Sequence, residues 1–251
     1  MKNKKIYTKD EFENLLKTNA SNMAKDRELI KNALDIKVRA GYEYYWVHQT
    51  KWFGEPLLNL PQDMFAIQEI FFKTRPKYFI EIGTAWGGGL LFYSTLMQAM
   101  GGEKVIGVDI FIPDDLKERV GKHGNISNRI KWIEGSSIEE NTINQIKEII
   151  GDCREVMILL DSYHTHSHVY KELNIYSELV GKGYYLICGD TVVEHQPESD
   201  KRPREWGKGN NPQTALNQFM QENDRFVIDS DMSDKLLFTC NPGGYLKAIK
   251  D

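Results

Sequence analysis

The chain has 251 residues, of which 41% are hydrophobic and 27% charged, and its formal net charge is −4 at pH 7. This length suits one large domain or a domain with an appendage, and the apolar content is too high for a disordered protein. The acidic balance argues against a nucleic-acid-binding protein, which would carry an excess of basic residues. The three cysteines are far apart and form neither a disulfide framework nor a CxxC metal motif, which favours a reducing, cytoplasmic location.

The N-terminal part of the chain is predicted to be helical. Thr8 and Glu11 have the spacing of a capping box, and apolar residues follow at helical intervals to about residue 40. The aromatic-rich segment 41–52 fits neither helical nor strand periodicity. We therefore predict a helical and aromatic extension over residues 1–60, followed by a catalytic domain over residues 61–251.

The sequence predicts no membrane segment. The basic N-terminus is followed by polar residues and lacks the apolar stretch of a signal peptide. Residues 82–102 carry no charge but contain six glycines, most of them clustered at one end as a turn requires. That clustering favours a strand, a turn and a helix over a membrane span.

From residue 61 onward, helices alternate with short apolar strands. Strands are predicted over 78–82, 105–108, 130–133, 156–160, 184–188, 226–228 and 236–239, with 245–249 as a further partner. Helices are predicted over 61–73, 89–100, 137–149 and 167–179, the third with a capping box at Ser137 and Glu140. Buried strands without alternation, separated by helices, are typical of a doubly wound, mostly parallel α/β sheet. Seven strands that end in a hairpin match the plan of a Rossmann-like class I methyltransferase.

The strongest motif follows the first of these strands and reads Glu81-Ile-Gly83-Thr84-Ala-Trp-Gly87-Gly88-Gly89. We call residues 83–89 the glycine turn. Glycines let the backbone approach a ligand closely, and the following helix presents a positive N-terminus. The spacing differs from the GxGxxG of nicotinamide enzymes, and the acid in front of it is typical of an S-adenosylmethionine site, where it meets the methionyl ammonium. An ordinary strand-to-helix turn is the alternative.

Two further strand ends are predicted to complete this cofactor site. Asp109 ends the next strand, and an acid at that place in a doubly wound sheet binds ribose hydroxyls. Ser136 and Ser137 follow the third strand, where such folds hold an adenine with small side chains and backbone groups. Ser136 is the adenine candidate, because Ser137 can instead cap the next helix.

Asp161 and Asp190 end two neighbouring parallel strands. The carboxyl ends of such strands share one edge of the sheet, and two close carboxylates repel each other unless a proton or a cation lies between them. Oxygen ligands suit a hard cation, so these residues predict a Mg2+ site. Helix capping by either aspartate is the alternative.

Four histidines lie near these aspartates: His164, His166, His168 and His195. Neutral imidazole is a good general base near pH 7. His164, three residues after Asp161, is the predicted base, and His168 and His195 are candidates for substrate contacts. A structural role is the alternative for each.

Several segments together resemble the cephalosporin hydroxylase family, which also includes rhamnosyl O-methyltransferases. They are 52–63 (WFGEPLLNLPQD), Arg75-Pro76, 81–89, the Gly189-Asp190-Thr191 turn and 206–212 (WGKGNNP). The resemblance covers about residues 45–251. It implies a class I S-adenosylmethionine-dependent O-methyltransferase, commonly with Mg2+ and commonly oligomeric, that acts on a sugar in an antibiotic or surface-polysaccharide pathway.

The resemblance also assigns roles to individual residues. Cofactor contacts are implied for Glu81, Gly83, Thr84, Gly87 and Asp109, with Gly88 in the same turn, and metal ligation is implied for Asp161 and Asp190. Related enzymes place a second acid directly before Asp190, where this chain has Gly189. Thr191, His164 or water would then complete the metal site.

The predicted acceptor is a nucleotide-linked or phosphorylated sugar. The polar loop 194–212 could close over it, with Trp206 as an aromatic platform and Lys201, Arg202 and Arg204 as anion contacts. A solvated loop is the alternative.

Two other functions remain open on the sequence. One is a non-haem iron hydroxylase that uses Asp161, His164 and His168 as a two-histidine, one-carboxylate triad. The other is a non-catalytic scaffold that keeps the cofactor fold. The sheet pattern and the glycine turn count against the first, and the pair of strand-end aspartates counts against the second.

Overall fold

The computed structural model describes residues 6–197 and 203–251. The helices are α1 (Lys9–Lys25), α2 (Arg27–Tyr44), α3 (Pro61–Thr74), α4 (Gly88–Met100), α5 (Asp114–Gly121), α6 (Glu140–Ile150), α7 (His166–Ser177), α8 (Pro212–Glu222) and α9 (Ser230–Ser233). The strands are β1 (Lys51–Trp52), β2 (Glu55–Pro56), β3 (Tyr78–Ile82), β4 (Lys104–Asp109), β5 (Ile130–Glu134), β6 (Val156–Leu160), β7 (Tyr185–Cys188), β8 (Phe226–Ile228) and β9 (Tyr245–Ala248).

Strands β3 to β9 form one seven-stranded sheet in the order β5-β4-β3-β6-β7-β9-β8. The sheet is parallel except for β9, which runs antiparallel to both β7 and β8. This topology confirms the predicted doubly wound, Rossmann-like fold with helices in front of it. It also brings the carboxyl ends of β3 to β7 to one edge, which is where ligands bind in such sheets.

Helices cover both faces of the sheet. α6, α7 and α8 pack on one face through side chains such as Ile146, Leu173 and Leu216. α3 and α4 pack on the other face through Ile70 and Leu90. Because both faces are covered, the central strands are apolar throughout, and all five residues of β6 are buried.

The N-terminal helical stretch is divided by Asp26. The capping box of Thr8 and Glu11 starts α1 as predicted. Asp26 then ends α1 and caps α2, since its Oδ1 accepts a hydrogen bond of 3.0 Å from Leu29 N. α1 buries no side chain, whereas α2 buries Ala33 and Lys37, so α2 is the part of the extension that is fixed to the rest of the molecule.

The predicted C-terminal hairpin between strands 226–228 and 236–239 is wrong, because the second strand is a different segment. β8 pairs with β9 in antiparallel fashion, and residues 236–239 form no strand. Thr239 instead donates its hydroxyl hydrogen to the buried carboxylate of Asp63. The segment therefore leaves the sheet to satisfy a buried acid on α3.

Helical details also differ from the prediction, since α8 and α9 are absent from the predicted helices. α5 was not predicted, because only Leu116 and Val120 of its eight residues are buried and the apolar period is short. The capping box at Ser137 and Glu140 is absent, since α6 follows Glu139 as its N-cap without a side-chain hydrogen bond. Ser137 donates its hydroxyl hydrogen to Glu172 instead.

Over residues 6–197 and 203–251, no helix has the length and apolar character needed to cross a bilayer. The uncharged stretch 82–102 forms the glycine turn and α4, and the apolar side chains of α4 pack in the core.

Candidate active site

The glycine turn connects β3 to α4 and depends on close backbone approaches. Gly83 has a φ of +93°, and a Cβ atom there would lie 2.2 Å from the carbonyl oxygen of Asp161. At Gly87 a Cβ would lie 2.8 Å from a methyl group of Val120, and at Gly88 it would lie 2.2 Å from the carbonyl oxygen of Pro56. Gly87 and Gly88, which the sequence assigned to the cofactor, thus have packing roles against α5 and the β1–β2 hairpin.

Glu81 supplies a buried acid beneath the glycine turn. Its Oε2 has no hydrogen-bond partner within the described residues, and a Cβ at Gly89 would lie 2.4 Å from its Oε1. Burial, followed by the charges of Asp161 and Asp109, raises the pKa of Glu81 well above its ordinary value. Tyr93 is a hydrogen-bond partner of this carboxylate, but no cation balances its charge within the described residues, so the residue fits a cationic ligand such as the ammonium group of S-adenosylmethionine.

Asp109 ties the glycine turn to the end of β4. Its Oδ2 accepts hydrogen bonds from Thr84 N at 2.8 Å, Thr84 Oγ1 at 3.3 Å and Ala85 N at 3.3 Å. Its Oδ1 has only a longer contact of 3.4 Å from Phe111 N. Oδ1 is therefore the oxygen that is available to a ribose hydroxyl, while Thr84 acts by holding Asp109.

A buried polar network lies behind the predicted adenine position. Oε1 of the fully buried Glu172 accepts hydrogen bonds from Ser137 Oγ at 2.5 Å and Ser162 Oγ at 2.6 Å. It also lies 3.1 Å from His168 Nε2. The network joins the ends of β5 and β6 to α7, so it fixes the backbone beside the half-buried Ser136.

Asp161, His164 and Asp190 form a compact cluster at the edge of the sheet. One ligand atom from each lies within 4.8 Å of the others, and His164 Nε2 lies 3.6 Å from Asp190 Oδ2. Burial, then the charge of Asp190, raises the pKa of Asp161 well above its ordinary value. A divalent cation would remove this repulsion, and the donor set of two carboxylates and an imidazole fits one.

The backbone around Asp190 explains the departure from the related metal sites. A Cβ at residue 189 would lie 2.6 Å from the carbonyl oxygen of Leu160 and 2.9 Å from Asp161 Oδ1, so only glycine fits there. Thr191 is buried and donates its hydroxyl hydrogen to the Pro242 carbonyl at 2.9 Å. Among the candidate third side-chain ligands, the structure brings His164 to the aspartates.

Asp190 itself has left-handed backbone geometry, with φ +50°. Aspartate tolerates this region better than most residues, and Asp190 N donates to Asn241 Oδ1 at 2.9 Å. The strand end is thus held in a fixed position, with its carboxylate turned to His164.

A cavity of about 430 Å³, which we call the main cavity, opens beside this cluster and is lined by Asp161, His164 and Asp190. The volume is within the usual range for small-molecule sites. Trp206 also lines it, with its ring centroid 5.3 Å from that of His164. The indole N–H of Trp206 is buried and has no partner within the described residues, so it can donate to a ligand.

Burial lowers the pKa of His164, although the charge of Asp190 opposes this effect. The imidazole is therefore neutral near pH 7 and can accept a proton or a cation.

The structure does not bring the other predicted histidines into the main cavity. In the described part of the chain, His168 belongs to the Glu172 network and His195 is exposed, and neither lines the main cavity. Lys201 and Arg202, predicted as anion contacts, lie outside the described residues, whereas Arg204 does line the main cavity.

Sequence reasoning missed the contribution of the N-terminal extension. Lys37 and Tyr42 of α2, and His48 in the turn after it, line the main cavity. One signal was present, because Lys37 lies four residues after the buried Ala33, on the face of α2 that packs inward. A charged residue on that face is unusual.

The family described as rhamnosyl O-methyltransferase/CmcI matches residues 44–249, which is most of the chain. The chain belongs to this family. A rhamnosyl O-methyltransferase of Mycobacterium bovis (strain BCG / Pasteur 1173P2) is 25% identical over 202 residues, covering 79% of this chain and 78% of the relative. One from Mycobacterium leprae (strain TN) is 29% identical over 157 residues, covering 61% of this chain and 65% of the relative.

Solved structures show the same fold at low sequence identity. A CmcI structure with Mg and S-adenosylmethionine has a TM-score of 0.55 at 18% identity, covering 80% of this chain and 77% of that chain. The O-methyltransferase TomG from Streptomyces achromogenes, in complex with S-adenosylmethionine, has a TM-score of 0.52 at 12% identity, covering 98% of this chain and 100% of that chain.

As a member of the rhamnosyl O-methyltransferase/CmcI family, the chain is an S-adenosylmethionine-dependent O-methyltransferase. This activity replaces the iron hydroxylase and scaffold alternatives. The geometry agrees with this exclusion of an iron hydroxylase. An iron triad would need His168 beside Asp161 and His164, but the third member of the cluster is Asp190, and His168 is bound in the Glu172 network.

Proposed function

We propose that this methyltransferase transfers the methyl group of S-adenosylmethionine to a hydroxyl of a sugar, with Mg2+ held by Asp161 and Asp190. The observation that carries the proposal is the cluster of these aspartates with His164 at the wall of the main cavity. The rhamnosyl relatives support a sugar acceptor, and the CmcI structure with Mg supports the metal.

The transfer breaks the bond between the sulfonium sulfur and the methyl carbon as the acceptor oxygen bonds to that carbon. The products are S-adenosylhomocysteine, the methyl ether and the proton of the hydroxyl. Glu81 would bind the cofactor ammonium, Asp109 Oδ1 the ribose and Ser136 the adenine. These contacts would hold the sulfonium methyl in line with the acceptor, which is the main requirement of the reaction.

Loss of the hydroxyl proton is the other requirement. A Mg2+ ion on Asp161 and Asp190 would supply charge stabilisation for the developing alkoxide. His164 would accept the proton at Nε2, because burial keeps its imidazole neutral. The Trp206 indole would lie against the sugar and donate its N–H to an acceptor oxygen.

The first experiment is methyl transfer by the purified full chain to a panel of free, phosphorylated and nucleotide-linked sugars, followed by release of S-adenosylhomocysteine. We expect Mg2+-dependent turnover that EDTA abolishes and Mg2+ restores. Asp190→Asn should lower kcat by at least about a hundredfold, whereas His195→Gln, an exposed histidine outside the main cavity, should change kcat by less than about twofold. Full activity of Asp190→Asn, or no turnover with any sugar, would refute the proposal.

The compact cluster also permits His164 to act as a third metal ligand instead of the base. Titration of Mg2+ into His164→Gln separates these roles. A base role predicts an unchanged Mg2+ affinity with a kcat lowered about a hundredfold or more. A ligand role predicts a weaker Mg2+ affinity, with kcat recovering at high Mg2+ concentration.

We also propose that the protein is a homo-oligomer. Phe12, Leu15 and Leu16 of α1 are exposed, although they lie on the apolar side of an amphipathic helix. A second copy of the chain would cover this surface.

A further inference from the structure

We propose that Lys37 of α2 binds an anionic group of the acceptor, a phosphate or a carboxylate, inside the main cavity. Lys37 is 4% exposed and lines the main cavity together with Asp161, His164 and Asp190. It lies before the family match, which begins at residue 44. The inference rests on the proposed function and adds a specificity-determining residue from the N-terminal extension.

Among the described residues the Lys37 ammonium has no hydrogen bond or close ion pair, and Asp63 interacts with it through its charge alone. The charge of a side chain that is 4% exposed is costly unless acceptors or an opposite charge compensate it, and here the charge of Asp63 does so without a hydrogen bond. By contrast Lys31, on the exposed side of the same helix, forms an ion pair of 2.6 Å with Asp35. An anionic ligand in the main cavity would supply the hydrogen-bond acceptors that the Lys37 ammonium lacks.

The nearby acid Asp63 does not use Lys37 as a hydrogen-bond donor. Its carboxylate accepts hydrogen bonds of 2.8 Å from Tyr245 OH and 2.8 Å from Cys240 N, and one from the Thr239 hydroxyl. Lys37 lies near enough for its charge to lower the pKa of Asp63, but burial has the larger effect and raises it. The N–H groups of the Lys37 ammonium therefore remain available to a ligand. The negative charge of Asp63 offsets part of the free-energy cost of burying the Lys37 charge.

The charges around the main cavity favour an anion. A divalent cation would balance Asp161 and Asp190, which leaves Lys37, Arg204 and Lys208 as positive side chains in the described part of the lining. Arg204 and Lys208 are exposed, whereas Lys37 is buried. The buried cation is the one whose interaction with an anion is least screened by water.

The carboxylate of the cofactor is the other source of an anion. Glu81, the predicted partner of the cofactor ammonium, lines a smaller neighbouring pocket with Gly83 and Thr84, and Lys37 is absent from the described lining of that pocket. This position favours the acceptor. Measuring cofactor and acceptor binding separately distinguishes the two sources.

The test uses the full chain loaded with Mg2+ and S-adenosylhomocysteine, titrated with rhamnose 1-phosphate, inorganic phosphate and free rhamnose. We expect Lys37→Met to weaken binding of the two phosphates at least tenfold, with free rhamnose and S-adenosylhomocysteine unaffected. Lys37→Arg, which keeps the charge, should retain most of the phosphate affinity. Lys31→Met on the same helix is the matched control and should change none of these affinities.

Two results would overturn the inference. One is unchanged phosphate binding by Lys37→Met. The other is an equal loss of S-adenosylhomocysteine affinity, which would assign Lys37 to the cofactor carboxylate.

If Lys37→Met does not fold, wild-type protein can be acetylated with and without rhamnose 1-phosphate, and the modification of Lys37 and Lys31 followed by mass spectrometry. Protection of Lys37 alone, by at least fivefold, supports the inference, and no protection overturns it. Absence of methyl transfer to any sugar would instead refute the proposed function.

Discussion

Glu81 illustrates, at the scale of a single residue, how a cofactor site lowers stability. Burial and the charges of Asp161 and Asp109 raise its pKa. A carboxyl whose pKa is raised in the folded state loses folding stability as pH rises from its ordinary value towards the raised one. Glu81→Gln cannot ionise, so we expect the cofactor-free variant to have a higher Tm than wild type. The difference should grow in scanning calorimetry as pH rises above the ordinary pKa of a glutamate side chain.

The same substitution should weaken cofactor binding, because the amide cannot pair with the ammonium as a carboxylate does. We expect the affinity for S-adenosylhomocysteine to fall at least about tenfold, or about 1.4 kcal/mol, in calorimetric titration. A Tm difference that does not vary with pH, or an unchanged affinity, would contradict this account of Glu81.

A second prediction concerns Gly89, which leaves room for the Glu81 carboxylate. A Cβ at Gly89 would lie 2.4 Å from Glu81 Oε1, so Gly89→Ala must displace that carboxylate. We expect the affinity for S-adenosylhomocysteine to fall at least about tenfold. Gly121→Ala is the matched control, since a Cβ there meets nothing within 4 Å, and its affinity should equal that of wild type. Equal behaviour of the two variants would disprove the role of Gly89.

The residues that could be predicted from the sequence are those whose position follows from strand order. Asp109 ends β4, Asp161 and Asp190 follow β6 and β7, and parallel strands bring such positions to one edge. Lys37 could not be predicted, because packing between segments that are distant in the sequence places it in the lining of the same cavity as Asp190. Likewise, His168 has suitable chemistry, but the packing of α7 places it beside Glu172.

At the scale of elements, the segment that carries Trp206 is held by Asn211. Asn211 Oδ1 caps α8 by accepting from Gln213 N at 2.9 Å and Thr214 N at 3.2 Å. Its Nδ2 donates to Glu194 Oε2 at 2.5 Å. Asn211→Ala removes the cap and one partner of Glu194, so we expect chemical denaturation to give a loss of about 2 kcal/mol in the free energy of unfolding.

This loss should depend on pH. Hydrogen bonds from Gly209 N and Asn211 lower the pKa of Glu194, and a lowered carboxyl pKa contributes stability that is lost as pH falls through the folded-state value. The difference between wild type and Asn211→Ala should therefore shrink in acid. Asn217→Ala, at an exposed position of α8, is the control and should cost less than about 0.5 kcal/mol at any pH. A similar cost for both variants would show that the hydrogen bonds of the buried Asn211 do not stabilise this segment.

The elements differ in how far the sequence specified them. β6 was predicted at its observed bounds, because five buried apolar residues in succession fit only a covered strand. The sequence predicts strands over 226–228 and 236–239 and gives 245–249 only as a further partner, whereas in the structure β9 takes the place of 236–239 in the sheet. Thr239 and Cys240 are instead hydrogen-bonded to Asp63 on α3, and no local sequence pattern indicates such a contact between distant segments.

At the scale of the whole molecule, the N-terminal extension and the sheet share one site. The predicted boundary at residue 60 divides the lining of the main cavity, with Lys37 and Tyr42 on one side and Asp161 and Asp190 on the other. α1 differs from α2, because it buries no side chain and its one long-range ion pair within the described part of the chain joins the half-exposed Lys17 and Asp231. Such surface pairs contribute about 1 kcal/mol or less.

This division predicts different results for two truncations. Removal of residues 1–25 deletes α1, whose apolar side chains are exposed, so we expect methyl transfer per chain within about twofold of wild type. Light scattering should then show a smaller oligomer, since the proposed contact surface is gone.

Removal of residues 1–45 also deletes α2, and with it Lys37 and Tyr42. We expect this chain to bind S-adenosylhomocysteine normally while its KM for the acceptor rises at least about tenfold. If the shorter truncation abolished cofactor binding, α1 would be needed for folding. If the longer one left the acceptor KM unchanged, the sheet domain alone would form the acceptor site.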